Sequence, residues 1–180
     1  MKKIAVLTGS PRAHGNSEQL ADAFIVASQQ KGNEVVKIRC AELDLLGCRA
    51  CNCCYEDEKP CLMEKQFNDI APVIQEAAAV VVFSPLYWFS FPAQLKAVLD
   101  KFYAYMHGGR CIAGKECAAV FCGETDTESD FAGISTSWRL IADYLKWENK
   151  GIICICNAAE PGDIAKTDGL VRAAQLAQLF

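Results

Sequence analysis

The chain has only two histidines, His14 and His107. Neither stands with a serine or cysteine and a carboxylate in the pattern of a nucleophile–base pair. Positive charge is also scarce. Its 18 Lys and Arg against 22 Asp and Glu leave a net charge of −4, which argues against a nucleic-acid-binding surface. No apolar run approaches the roughly 20 residues of a membrane span. Met1-Lys2-Lys3 leads directly into a strand-like run without the apolar core of a signal peptide. A cytoplasmic protein with no nucleic-acid or membrane partner is therefore expected. Two phosphate-binding fingerprints, Gly-x-Gly-x-x-Gly and Gly-Lys-Ser/Thr, are missing as well. Their absence disfavours a dinucleotide or nucleoside triphosphate held in those ways.

What is present is a globular composition, 52% hydrophobic and 22% charged over 180 residues, enough for one domain with a real core. Apolar runs at Lys3–Leu7, Ala79–Phe83, Glu116–Cys122 and Ile152–Cys156, with the alternating Glu34–Arg39, predict five strands. Helical spacing predicts helices over Glu18–Lys31, Gln66–Ala77, residues 92–106, Phe131–Lys146 and Gly169–Leu179. Asn16 is the expected N-cap of the first, with Gln19 completing a capping box. Pro72 falls in the early turns of the second or marks a kink, and Pro92 suits a first helical turn. Alternating strands and helices predict an α/β fold: a five-stranded parallel sheet in the flavodoxin-like order 2-1-3-4-5, helices on both faces.

Ligands of such sheets bind at the carboxyl ends of the strands, near the switch between strands one and three. The loop after strand one reads Gly9-Ser10-Pro11-Arg12-Ala13-His14-Gly15-Asn16-Ser17. A helix start there presents free N–H groups and a positive dipole end. Ser10, Asn16 and Ser17 add side-chain donors and Arg12 adds charge, so a compact phosphate monoester fits. The loop after strand three, Ser84-Pro85-Leu86-Tyr87-Trp88-Phe89-Ser90-Phe91-Pro92, reaches the same crevice. Its amides suit the polar edge of a ring system and its aromatics suit a ring face.

These two loops, with Pro92-Ala93-Gln94-Leu95-Lys96 and Asp100-Lys101-Phe102, make the chain resemble the flavodoxin-like NAD(P)H-dependent FMN reductases along essentially its whole length. The resemblance implies FMN, with its phosphate on Ser10, Arg12, Gly15, Asn16 and Ser17 and its ring against Pro85, Leu86, Tyr87, Trp88 and Phe89. It implies that Gly123, Glu124 and Thr125 touch the ring edge or ribityl chain. NAD(P)H is then the co-substrate, and a quinone, nitroaromatic, flavin or metal ion the small-molecule electron acceptor. No catalytic side chain is nominated, because flavin N5 carries the chemistry. The alternative from another class is a non-catalytic flavodoxin-type electron carrier. The resemblance also implies a homodimer or higher homo-oligomer, with the helix at Leu95–Met106 a candidate contact.

Eleven cysteines complete the inventory. Cys111, Cys117, Cys122, Cys154 and Cys156 lie in or beside apolar runs and read as small buried hydrophobes, and Cys40 is similarly quiet. The other five cluster in an excursion at about 40–65. Cys48, Cys51 and Cys54 recur every third residue, Cys61 follows, and Cys53 lies inside the motif. Four such thiols suit a [4Fe–4S] cluster, zinc, or a metal-free redox pair such as Cys48 with Cys51. The spacing resembles the iron–sulfur flavoprotein branch of the family, which implies single-electron transfer from ferredoxin.

Overall fold

A computed structural model describes residues 1–180. Its centre is a parallel sheet of five strands: β1 (Lys3–Thr8), β2 (Glu34–Arg39), β3 (Ala79–Pro85), β4 (Glu116–Cys122) and β5 (Glu148–Ile155). They are ordered β2-β1-β3-β4-β5, as the alternation of elements predicts. Ile4 pairs with Ala79 and Val35, and Phe83 with Val120 and Thr8. β3 is apolar on both faces because both are covered. Val80 and Val82 join one core while Val81 and Phe83 join the other.

The helices are α1 (Asn16–Gln30), α2 (Lys65–Glu76), α3 (Ala93–Asp100), α4 (Tyr103–His107), α5 (Ala132–Tyr144) and α6 (Gly169–Leu176). One core layer packs Phe67, Leu95, Phe102 and Trp138 from α2, α5 and the α3–α4 region against the sheet. The opposite layer packs Leu20, Phe24 and Ala173 from α1 and α6. Each fully buried Leu or Phe contributes roughly 1.5–3 kcal/mol of transfer free energy.

Several boundaries differ from the sequence reading, for local reasons. Gly15, not Asn16, occupies the N-cap of α1, and Gln19 donates to the His14 carbonyl instead of closing a capping box. Pro72 lies in the middle of α2, so the N–H that would bond to Asn68 O is missing there. Pro92 is extended (φ −55°, ψ 147°) and caps α3 from outside. The single helix expected to residue 106 divides at Lys101 and Phe102, whose N–H groups bond three residues back, to Val98 and Leu99. That tighter turn buries both side chains. β5 starts four residues earlier than expected, at Glu148. A register shift opposite Cys117–Ala119 and the positive φ of Gly151 mark a bulge there.

Candidate functional site

α1 follows β1 through a tight loop. Gly15 N–H bonds to Arg12 O at 3.0 Å, and Ser10 Oγ accepts from Arg12 N–H at 3.1 Å. A Cβ on Gly15 would meet Ser10 Oγ at 2.9 Å and Arg12 O at 3.2 Å, so only glycine fits that cradle. The first N–H groups of α1 lack intrahelical partners by geometry. Beside them Ser17 is 1% exposed and its Oγ has no hydrogen-bond partner. Arg12 lies exposed at the rim. One turn further on, the buried Glu18 carboxylate meets Lys37 Nζ at 2.7 Å and Arg39 Nε at 3.5 Å, which fastens the helix start to β2.

A cavity of about 170 Å³ opens at the carboxyl ends of the strands. It is lined by Ser10, Arg12, Gly15, Asn16 and Ser17, by Pro85, Leu86 and Tyr87, and by Cys122, Gly123 and Glu124. Ala158 and Ala159, from the loop after β5, close it. The structure thus gathers ten of the thirteen residues expected for a phosphate-bearing ligand; Trp88, Phe89 and Thr125 are outside it. Ala158 and Ala159 escape sequence reasoning because nothing in their side chains signals binding. The only cue is the turn-rich Asn157–Gly162 segment at the end of a fifth parallel strand.

Three expectations need correction. Asn16 lines the cavity, but its side chain is committed elsewhere. Its Nδ2 donates to Ala158 O (3.2 Å) and Glu160 O (2.9 Å), and its Oδ1 accepts from Gly162 N–H (3.0 Å) and Ile164 N–H (3.3 Å). It therefore locks the loop after β5 against the start of α1. Trp88 and Phe89 lie outside the cavity. They form the two central residues of a tight turn in which Tyr87 and Ser90 exchange N–H···O bonds at 3.0 Å. Both have positive φ, 47° and 62°, a geometry usually filled by Asn-Gly, and Trp88 is 94% exposed. A Cβ on Gly133 would meet Phe89 O at 2.8 Å, so α5 backs this turn closely. The amides of Leu86, Tyr87 and Ser90 are spent on Cys122 O, Ser90 O and Tyr87 O. Among the exposed residues of this loop, the backbone donors left are the amides of Trp88 and Phe89. The third correction is Cys111, which is exposed, while Cys154 and Cys156 are half-buried. Cys117 and Cys122 are buried as expected, and burial pushes both thiols up to about 12.

The cysteine excursion is largely irregular and exposed, with positive φ at Ala50, Asn52, Tyr55, Asp57 and Glu58. Tyr55 anchors it, packing on Gly108 and lying under the Arg110 guanidinium at 4.8 Å. Asn68 holds Cys61 through both backbone groups. Cys48, Cys51, Cys54 and Cys61 line one small cavity of about 20 Å³ with Lys101. No three acidic, histidine or cysteine side chains converge closely enough to hold an ion. Burial, then the Cys61, Cys48 and Cys51 thiols, push the Cys54 thiol up, and Lys101 pulls it down. Cys53 turns away, its Sγ 3.4 Å from Cys51 O.

No helix is long and apolar enough to cross a membrane. Among known proteins, the chain is 29% identical over 107 residues to an iron–sulfur flavoprotein of Archaeoglobus fulgidus, covering 59% of this chain and 48% of that protein. It is 27% identical over 121 residues to an iron–sulfur flavoprotein of Methanosarcina thermophila, covering 67% and 63%. The chain thus spans between about half and under two thirds of the length of these relatives. Among solved structures it superposes on an NAD(P)H:quinone oxidoreductase from Methanothermobacter marburgensis with a TM-score of 0.77. The two are 17% identical, covering 98% of this chain and 94% of that one, a likeness of fold. The model of one family, NADPH-dependent FMN reductase, matches residues 2–146. That span takes in the Ser10–Ser17 loop, the aromatic turn and the cysteine excursion, and the chain belongs to the NADPH-dependent FMN reductase family.

Proposed function

We propose that the chain is an FMN-dependent oxidoreductase, a single domain over residues 1–180, that takes hydride from NAD(P)H and reduces a small acceptor. The observation that carries this reading is the buried, unpartnered Ser17 Oγ at the start of α1, inside the cavity where four loops meet. A buried hydroxyl without a partner costs about 1–3 kcal/mol, and a phosphate oxygen there relieves it. Gly15 leaves room where a Cβ would intrude. Arg12 stands free at the rim to add charge. These residues fit the phosphate end of FMN.

At about 170 Å³ the cavity is smaller than the roughly 300 Å³ of a pocket enclosing a whole ligand. It suits the phosphate and ribityl chain and leaves the ring in the mouth beside Pro85, Leu86 and Tyr87. The Trp88 and Phe89 amides are the donors available to the ring's polar edge, and Gly123 and Glu124 border the other side. When bound, the flavin supplies a site that accepts hydride and returns it; the protein orients it and leaves one face open. A nicotinamide and then a quinone, nitroaromatic, free flavin or metal ion can occupy that open face in turn.

The open mouth and the exposed Trp88 and Phe89 favour a homodimer or larger homo-oligomer in which a second copy covers the ring. A 680 Å³ apolar groove between α4 and α5, lined by Phe102, Tyr103, Met106, Leu140 and Tyr144, offers another face for such contact. Eleven cysteines without a disulfide suit the reducing cytoplasm.

The test is optical. Purified protein, or protein reconstituted with FMN, is expected to show two flavin bands that NADPH bleaches without oxygen and that a quinone restores. Ser17→Ala is expected to weaken FMN binding about tenfold, the loss of one charge-assisted hydrogen bond. Protein that stays colourless after FMN addition and does not oxidise NADPH overturns the reading.

A second reading rests on the cavity shared by Cys48, Cys51, Cys54 and Cys61. Four thiols beside a buried cation fit a [4Fe–4S] cluster in number and charge. The present 20 Å³ admits only about one atom, so this reading requires the four thiols to stand further apart than they do here. In that case the protein passes single electrons, with ferredoxin as donor.

A further inference from the structure

We infer that Glu124 sets the reduction potential of the bound flavin: its carboxylate stands in the cavity wall at the ring end and holds that potential down. The inference rests on the FMN reading above. It goes further by giving one side chain control over how readily electrons enter and leave.

Two charged side chains line the cavity, Arg12 and Glu124, and neither is ion-paired. Arg12 lies in the loop that leads into α1, beside the unpartnered Ser17 Oγ, which is the phosphate end. Glu124 lies in the loop after β4, which packs on the loop after β3. A Cβ on Gly123 would meet Leu86 Cβ at 3.2 Å. The free cation is therefore at the phosphate end and the free anion at the ring end.

The backbone holds Glu124 from both sides. Gly123 N–H donates to Ile155 O at 3.1 Å, and Gly123 O accepts from Ala158 N–H at 2.9 Å. Thr125 O accepts from Asn157 N–H at 2.9 Å, and Thr125 Oγ1 donates to the Asp130 carboxylate. The Glu124 side chain is exposed and takes no part in these contacts. A carboxylate on a fixed backbone, without a partner of its own, stabilises no part of the fold. Its charge acts on whatever fills the cavity. Asp126 and Glu128 follow on the same loop but are exposed outside the cavity. They add charge of the same sign at longer range, where solvent and salt screen it.

The direction of the effect follows from charge balance. Hydride transfer from NAD(P)H brings two electrons and one proton, so the flavin gains one negative charge and the nicotinamide one positive charge. A fixed anion in the cavity wall disfavours the charge added to the flavin. It lowers the potential, and by linkage it weakens binding of reduced FMN relative to oxidised FMN by the same factor. An exposed carboxylate acts through a high effective dielectric, for which about tenfold is the expected effect. Tenfold is about 30 mV for a two-electron couple. The lower potential makes the reduced protein a stronger donor and extends its acceptors to less oxidising ones.

The experiment equilibrates the FMN-loaded full chain with a reference dye, without oxygen, at mildly alkaline pH where the reduced ring is an anion. The flavin and dye bands give the potential. Glu124→Gln removes the charge and keeps the shape, and Glu124→Asp keeps the charge. Oxidised and reduced FMN are also titrated into each flavin-free protein. In Glu124→Gln the expected potential is higher by about 30 mV, and the preference for oxidised FMN is smaller by about tenfold. Both differences narrow at ~1 M salt, and Glu124→Asp stays near the parent. Equal potentials in the parent and Glu124→Gln, with flavin in both, overturn the role of Glu124 and leave the flavin site standing. A shift that salt does not narrow reports a change of shape and overturns it too. A parent protein that binds no FMN overturns the flavin reading and this inference together. Should Glu124→Gln release its flavin, Glu124→Ala repeats the measurement; loss from both makes Glu124 a binding contact and overturns its hold on the potential.

Discussion

Asn16→Ala separates two roles that one residue at a phosphate loop can have. In the structure its side chain makes four hydrogen bonds to the loop after β5, at 2.9 to 3.3 Å, and the residue is 8% exposed. Each such bond contributes about 0.5–1.5 kcal/mol net. The four together therefore amount to about 2–6 kcal/mol. Glu160 O and Gly162 N–H are near enough to solvent to regain water, so the low end of that range, about 2–3 kcal/mol, is expected. For a domain of this size each kcal/mol moves the thermal midpoint by about 2–4 °C. Asn16→Ala should thus lower it by roughly 4–12 °C in flavin-free protein. Arg12→Ala, at an exposed residue with no ion pair, should leave that midpoint within about 1 °C and still weaken FMN binding. Calorimetry on flavin-free samples and fluorescence titration with FMN read the two effects separately. An unchanged flavin-free midpoint in Asn16→Ala, together with a large loss of FMN affinity, would falsify the lock. It would mean that the side chain faces the phosphate.

Three further outcomes follow from the geometry. Replacing Trp88-Phe89 by Asn-Gly should stabilise the flavin-free monomer by about 1–2 kcal/mol, because both positions have positive φ. The same change should weaken self-association, and the sedimentation coefficient reads it; a more tightly associated variant would refute the role of the aromatics. Glu116 is held below its usual carboxylate range. Burial works upward on it, but the Lys2 and Lys150 ammoniums more than compensate. A depressed carboxylate contributes stability that is fully present above its unfolded value of 4.5 and is lost as pH falls through the lower folded value. Glu116→Gln should therefore cost stability at neutral pH and flatten its decline below pH 4.5, as urea melts across that range would show. A parallel decline in both proteins would refute this. Gly15→Ala should abolish flavin retention, since the new Cβ would stand 2.9 Å from Ser10 Oγ; a retained yellow colour would show that the loop can give way.

The strand order and the position of the ligand crevice were legible because they rest on patterns of many residues. Val80 through Phe83 have no polar face, and only a central strand of a two-layered sheet allows that. The departures occur where one side chain has two competing partners. Asn16 carries every mark of an N-cap, yet four backbone groups from more than 140 positions away outbid the local one. Trp88 and Phe89 carry the chemistry of a ring cover, but the turn that Tyr87 and Ser90 close turns them outward. Lys101 lies within the stretch 92–106 that reads as one helix, and nothing local reveals that the helix breaks there and buries it. Ala158 and Ala159 contribute only their place, which a tertiary contact supplies.

The distribution of thiols has a consequence for how the protein ages. Burial holds the thiols of Cys40, Cys117 and Cys122 at about 12, so at neutral pH only about one in 10⁵ is ionised. Peroxide, the usual by-product when a reduced flavin meets oxygen, attacks thiolates. The core cysteines are thus spared peroxide that reaches the protein. Damage should be written first in the exposed Cys48, Cys51 and Cys111, all outside the strands, where a change need not disturb the sheet beneath.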